Sequence, residues 1–150
     1  MPNPDLTRET KKNLIHIIEA SVGSKMFQHI YVTDKDSKEF DATNDGDKSC
    51  AYHTSGVLTL VGMIDRPHAT VTTTLTKMAE AGWVESKEPI LGCVVLWPEG
   101  NCGLEHTGFY LGEDKYVSNS SYEKVPALHS KALKDGREPV GYFTHRELKR

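Results

Sequence analysis

The stretch SCAYHTSGVLTLVGMI, residues 49–64, carries the strongest indication of how this chain folds. Its β-branched residues and glycines suit either a strand or a buried helix, but it is longer than an ordinary strand and therefore favours a helix. Apolar residues occur on nearly every side, which predicts a central, buried element. Ser49 is the predicted N-cap residue, so that Cys50 lies in the first turn of this helix.

Two amphipathic helices are predicted around this central one. The first covers residues 7–22, ends before Gly23, and has its apolar positions at Leu14, Ile15, Ile18 and Val22. The second covers residues 68–81, ends before Gly82, and has its apolar positions at Val71, Leu75, Met78 and Ala79. Residues 24–48, which separate the first helix from the central one, are polar and rich in turn-forming residues.

After Gly82 the hydrophobic pattern becomes typical of strands. Strands are predicted at residues 90–97, 106–111, 115–120 and 140–144, and a turn at 112–114 joins the middle two as a hairpin. Helices that precede an antiparallel sheet indicate an α+β fold, with the N-terminal helices packed on the sheet. Because no repeat or linker interrupts the sequence, we predict a single domain over residues 1–150.

The composition argues against several classes of protein. With 37% hydrophobic and 26% charged residues the chain is globular, and its net charge of −3 provides no cationic field for nucleic acid. Three cysteines are too few, and odd in number, for a disulfide framework. No apolar run approaches the roughly 20 residues that span a bilayer, so we expect no membrane span.

The N-terminal residues show neither the charged region nor the apolar core of a secretory signal. We therefore expect the protein to be cytoplasmic as synthesised, while export by a non-classical route and action on the cell wall stay open. The sequence does not determine the oligomeric state.

Cys50 and His106 are the candidate nucleophile and base of a cysteine hydrolase. The dipole and free amides of a helix N-terminus stabilise a thiolate, lower the pKa of a thiol, and can bind the oxyanion of a tetrahedral intermediate. His106 begins the predicted hairpin, and Gly108, on the same face, leaves room beside the imidazole. Such chemistry needs no cofactor. Cys93, which lies among apolar residues, is predicted to be a core residue.

These segments resemble those of the NlpC-type and CHAP-type cell-wall cysteine peptidases. Their nucleophile resembles Cys50 at the head of a buried helix. The strand LGCVVLW at residues 91–97 is similar to their glycine-plus-aliphatic strand, and HTGFYLG at 106–112 is similar to their His-x-Gly-aliphatic-Tyr-aliphatic-Gly hairpin. The likeness covers roughly residues 41–119. It implies a papain-like core and hydrolysis of peptide or amide bonds in peptidoglycan stem peptides.

The third catalytic residue is open between two neighbours. The family commonly has a polar residue twelve positions after the base, which is Ser118 here, and Asn119 follows it. If the hairpin loop has the three residues 112–114, Ser118 shares the face of His106; a loop with an even number of residues turns Asn119 to that face. We prefer Asn119, because its carbonyl accepts the imidazole N–H and fixes the tautomer.

Three other functions stay open at this point. A non-catalytic module on the same fold would bind wall peptides or a partner protein, and an intracellular cysteine hydrolase would act on proteins. A zinc-binding domain would use the ligands Cys50, His53, Cys102 and His106. His129 is able to reach the site from a loop, but nothing in the sequence requires it.

Overall fold

The computed structural model describes residues 5–149 and confirms the α+β class. This part of the chain contains three α-helices, which are α1 (Thr10–Ser21), α2 (Cys50–Leu60) and α3 (Val71–Glu80). Two short 3-10 helices lie at Lys25–Phe27 and Arg146–Lys149. Within residues 5–149, no helix has the length and apolar character that a membrane crossing requires.

The strands of residues 5–149 form two antiparallel sheets. The smaller sheet consists of β1 (Tyr31–Thr33) and β2 (Glu39–Asp41). The other strands are β3 (Val84–Ser86), β4 (Val94–Trp97), β5 (His106–Tyr110), β6 (Tyr116–Asn119), β7 (Pro126–His129) and β8 (Gly141–Thr144). They form one sheet in the order β3-β8-β4-β5-β6-β7, and every neighbouring pair is antiparallel.

Helix α2 is the central element that its apolar sequence predicts. Val57 and Leu58 are fully buried, and the helix contacts β5, β6, α1 and α3. Ser49 occupies the predicted N-cap position, but its side chain makes no capping bond. The Ser49 hydroxyl donates instead to the carbonyl oxygen of Phe27 at 2.5 Å, so it joins the start of α2 to the preceding 3-10 helix.

Several predicted boundaries are corrected by the structure. The strand predicted at residues 90–97 begins only at Val94, because the N–H of Cys93 bonds the carbonyl of Ile90 and closes a turn. Val22, predicted to lie on the buried face of the first helix, is 42% exposed just beyond its end. Strands β1, β2, β3 and β7 were not predicted, because three or four residues are too few for a periodic pattern.

The β5–β6 hairpin has the register on which the candidate site depends. The N–H of Leu111 bonds the carbonyl oxygen of Lys115 at 2.8 Å, which leaves a loop of the three residues 112–114. All three have positive φ, as tight hairpin loops commonly require. In this register Gly108 lies directly opposite Ser118.

His53 is a buried histidine at the centre of the core. Its Nε2 lies 2.9 Å from Oγ of Ser21, whose hydroxyl donates to the carbonyl of Ile18, so Nε2–H of His53 donates to Ser21. The ring makes edge contacts with Phe27 and Phe109. Burial lowers the pKa of His53 from 6.5 to about 3, and the imidazole is therefore neutral in the folded protein.

We predict that His53→Gln makes stability less dependent on pH. The unfolded chain takes up a proton near pH 6.5 while folded His53 stays neutral, so this histidine removes stability as the pH falls below 6.5. The loss amounts to about 2 kcal/mol between pH 7 and pH 5. Urea unfolding at several pH values should show a shallower decline for His53→Gln, whereas the control His16→Gln, on the exposed face of α1, should match the wild type. Parallel pH profiles for the wild type and His53→Gln would contradict the prediction.

Candidate active site

Cys50 is the first residue of α2 and lines a groove of about 580 Å³. Two buried threonines hold this end of the helix against the sheet. The hydroxyl of Thr107, on β5, donates to the carbonyl oxygen of Cys50 at 3.3 Å, and it lies 3.1 Å from the hydroxyl of Thr54, one turn further along α2. The start of the helix is thus fixed beside the first residues of β5.

His106, the first residue of β5, lines the same groove. Because successive residues of a strand face opposite sides, Thr107 faces α2 while the His106 ring lies on the other face of the sheet. The groove reaches both Cys50 and His106 at the point where β5 begins. In the described part of the chain, Sγ of Cys50 makes no hydrogen bond with the His106 ring. The thiol donates instead to the carbonyl oxygen of Glu105, 3.9 Å away.

The thiol and the imidazole both have pKa values that favour their neutral forms. Burial raises the pKa of Cys50, although the amides of Thr107 and Ala51 and the charge of Arg137 act in the opposite direction. The lowered thiol pKa expected at a helix N-terminus is therefore wrong. Burial, followed by the positive charge of Arg137, lowers the pKa of His106 to about 3, so the imidazole is neutral in the free protein and its protonation is disfavoured.

The preference for Asn119 as the residue facing His106 is wrong, and the structure has Ser118 in that place. Nε2 of His106 lies 2.8 Å from Oγ of Ser118. The Asn119 side chain points away and donates from Nδ2 to the carbonyl oxygen of Gly46 at 2.8 Å, in the loop before α2. The reason is the loop of residues 112–114, whose odd length turns Ser118 to the His106 face.

Small residues on both sides of Ser118 make room for two histidine rings. Gly108 lies opposite Ser118 on β5, and Ala127 lies opposite it on β7. A Cβ atom at Gly108 would stand 2.5 Å from Cβ of Ser118, so only glycine fits there. His106 lies two residues before Gly108 on β5, and His129 lies two residues after Ala127 on β7. Both rings therefore reach Ser118 diagonally across the sheet.

His129 joins the site from strand β7, whereas the sequence had suggested only that it could reach the site from a loop. Its Nε2 lies 2.6 Å from Oγ of Ser118, and its Nδ1 lies 2.6 Å from the carbonyl oxygen of Ser130. The ring centroids of His106 and His129 lie 5.4 and 5.6 Å from that of Trp97. The signal was absent because β7 has four residues and its pairing with β6 is not visible in the sequence.

Arg137 places a fixed positive charge between this groove and an adjoining cavity of about 320 Å³ that His129 lines. Its Nε donates to the carboxylate of Asp135 at 2.9 Å. Its Nη1 donates to the carbonyl oxygens of Pro98 and Leu104 at 2.7 and 3.2 Å. These bonds hold the guanidinium rigidly, so its charge acts on both Cys50 and His106.

The structure does not bring the four residues of the zinc alternative together. His53 is fully buried and bonds Ser21, whereas Cys102 is exposed in a loop. Among residues 5–149, no three or more His, Cys, Asp or Glu side chains are arranged to hold a metal ion. Residues 5–149 therefore give the zinc-binding alternative no metal site in this structure.

We predict that Gly108→Ala separates β5 from β6 and disturbs the bond between His106 and Ser118. The added methyl group would overlap the Ser118 side chain and the carbonyl oxygen of Val117, at 2.5 and 2.6 Å. Overpacking of this kind costs about 1–3 kcal/mol in the free energy of unfolding. The matched control is Gly141→Ala on β8, where the nearest atoms lie at 3.6 Å. Equal stability of the two variants in urea unfolding would contradict the prediction.

We predict that iodoacetamide alkylates Cys50 of the native protein at neutral pH through His106. Because burial raises the pKa of the thiol, thiolate formation depends on the neighbouring base, and His106→Ala should slow alkylation at least about tenfold. Peptide mass spectrometry separates Cys50 from exposed Cys102, whose rate should not change, and from buried Cys93. Alkylation of Cys50 only on unfolding, or at the same rate in His106→Ala, would contradict the prediction.

Comparison with known proteins adds no family to this description. The chain matches no protein-family model, and no curated protein matches it in sequence. The candidate site is therefore defined by its own residues: the Cys50 thiol at the start of α2, the His106 imidazole at the start of β5, and the Ser118 hydroxyl that bonds this imidazole.

Proposed function

We propose that this chain is a papain-like cysteine hydrolase in which Cys50 is the nucleophile, His106 the base and Ser118 the residue that orients the base. The observation that carries the proposal is the hydrogen bond of Ser118 to Nε2 of His106, on a ring that lines the groove of Cys50. When Nε2–H of His106 donates to Ser118, Nδ1 carries the lone pair that is left to accept the thiol proton. A nucleophile, a base and a group that orients the base form the minimum of such a site.

The proposed reaction begins when Nδ1 of His106 takes the proton from Sγ of Cys50. The thiolate then attacks the carbonyl carbon of the substrate, and the carbonyl oxygen becomes an oxyanion. The Cys50 amide at the start of α2 has no partner inside the helix and donates to this oxyanion. The intermediate expels the amine, which receives the proton from His106, and a thioester remains on Cys50. Water, deprotonated by His106, hydrolyses the thioester and frees the enzyme.

Both groups are neutral in the free protein, so the first proposed step depends on what the substrate adds to the site. Burial raises the pKa of Cys50 and lowers that of His106, so the free protein holds a thiol and an imidazole instead of an ion pair. A substrate that fills the groove would bring the thiol and the base together and would cover the charged transition state. The fixed charge of Arg137 would then favour the thiolate and the oxyanion.

The substrate assignment depends on the resemblance of residues 41–119 to cell-wall peptidases. We infer that the peptide or amide bonds of peptidoglycan stem peptides are the substrate, held in the open groove between α2 and β5. Digestion of purified peptidoglycan followed by mass spectrometry of the released muropeptides would identify the bond that is cleaved.

We predict that Cys50→Ala lowers peptidoglycan hydrolysis below about one thousandth of the wild-type rate, because the acyl-enzyme cannot form. The melting temperature should stay near that of the wild type. The matched control is Cys102→Ala, since Cys102 lines the same groove but is exposed in a loop.

Three outcomes would contradict this prediction or the substrate assignment. Full hydrolysis by Cys50→Ala would remove the proposed nucleophile. Wild-type protein that binds peptidoglycan without cleaving it would indicate the non-catalytic module. Cleavage of protein substrates alone, with Cys50 required, would indicate a cysteine hydrolase of proteins in place of one acting on the cell wall.

A further inference from the structure

We propose that His129 is a positioning residue of this site, which acts through Ser118 to fix the tautomer of His106. The inference depends on the proposed function only in that it takes His106 as the base. The hydrogen bonds themselves form one chain, from the carbonyl of Ser130 through His129 and Ser118 to His106.

The direction of this chain is decided at Ser130. A carbonyl oxygen only accepts hydrogen bonds, so Nδ1 of His129, 2.6 Å from it, must carry a proton and donate. In a neutral imidazole the other nitrogen then has no proton. Nε2 of His129 is therefore an acceptor, and it faces the Ser118 hydroxyl at 2.6 Å.

The direction of the hydrogen bonds at Ser118 determines which nitrogen of His106 carries the proton. The single proton of the Ser118 hydroxyl is donated to His129, which leaves its oxygen free to accept. The partner on that side is Nε2 of His106 at 2.8 Å, which must then carry the proton. Nδ1 of His106 is left with a lone pair, which is the form that can take a proton from Cys50.

The reverse direction would disable the base. If Nε2 of His129 donated to Ser118, the Ser118 hydroxyl would have to donate to Nε2 of His106. The proton of His106 would then be on Nδ1, and no lone pair would remain for the thiol. A single carbonyl, that of Ser130, thus selects the tautomer of His106, two hydrogen-bonded groups away.

Packing holds His129 in the position that this role requires. Its ring stacks on Tyr116 at 6.2 Å with an interplanar angle of 21° and contacts the indole of buried Trp97. Nε1 of Trp97 donates to the carbonyl of Lys131 at 2.9 Å, which fixes the chain just after His129. Ser118, between the rings, is 2% exposed, so water does not compete for its hydroxyl.

The ring of His129 is neutral, as the chain requires. Burial lowers its pKa, although the carbonyl of Ser130 and the charge of Asp114 act to raise it. With two protons on the ring, His129 would become a donor at Nε2 and the chain would reverse.

The direct test is the tautomer of His106, read from 15N NMR of histidine-labelled protein, because protonated and unprotonated ring nitrogens have well-separated shifts. The wild type should have its proton on Nε2 of His106. We expect His129→Leu, which removes the acceptor, to give a mixture of tautomers. His129→Gln places an acceptor near the former Nε2 and should restore the wild-type form. An unchanged His106 tautomer in His129→Leu would overturn the proposal.

A double-mutant cycle adds a kinetic test on Cys50. His129→Leu should slow both alkylation of Cys50 and hydrolysis about tenfold with little change in KM, the effect of one lost hydrogen bond. Ser118→Ala breaks the same chain, so Ser118→Ala combined with His129→Leu should be no slower than Ser118→Ala alone. Multiplied effects of the two changes, or no rescue by His129→Gln, would show a merely structural role.

The measurements separate this inference from the proposed function. The tautomer and alkylation tests need no substrate, so they can support the role of His129 even if peptidoglycan is not cleaved. Hydrolysis that requires Cys50 and His106 but is unaffected by His129→Leu would keep the proposed function and overturn the inference. Melting temperatures check each variant, and His129→Met replaces His129→Leu if the latter does not fold.

Discussion

The register of the β5–β6 hairpin is the constraint on which the candidate site depends. The bond from Leu111 to Lys115 closes a loop of the three residues 112–114 and thereby puts Gly108 opposite Ser118. A shift by one residue would turn every side chain of β6 to the other face. The hydroxyl that bonds His106 would then be replaced by an amide. The length of one surface loop therefore decides which side chain lies next to His106.

The local sequence predicts the helix and the hairpin that hold Cys50 and His106. It does not predict which residues surround His106. A long apolar stretch after a polar turn predicts α2 with Cys50 at its start, and two strand-like segments joined by the turn at 112–114 predict the hairpin that begins at His106. Which of Ser118 and Asn119 faces His106 is decided by the backbone conformation of residues 112–114. The sequence does not reveal this conformation, because Glu113 and Asp114 adopt positive φ although neither is glycine. The position of His129 follows from the pairing of β7 with β6, and this pairing produces no periodic pattern in the sequence.

Histidines in this protein fall into two electrostatic environments. On the surface, His29 lies 2.6 Å from the carboxylate of Asp41; burial acts to raise the pKa of Asp41, but the bonds from His29 and Thr43 outweigh it and hold that pKa well below its usual range. Buried His53 bonds the hydroxyl of Ser21, and half-buried His129 bonds the hydroxyl of Ser118 and the carbonyl of Ser130, so neither ring bonds a carboxylate. Without a buried negative charge, burial keeps these rings neutral, so their hydrogen bonds have a defined direction.

The two faces of the sheet explain why Cys50 and His106 are held separately. Thr107 faces α2 and bonds the carbonyl of Cys50, while His106, its neighbour, faces Ser118 on the other side. The helix fixes the sulfur and the sheet fixes the imidazole, and the two meet only where β5 begins. Neither group depends on the other for its position, so in the proposed mechanism each stays neutral until a bound substrate brings about the proton transfer.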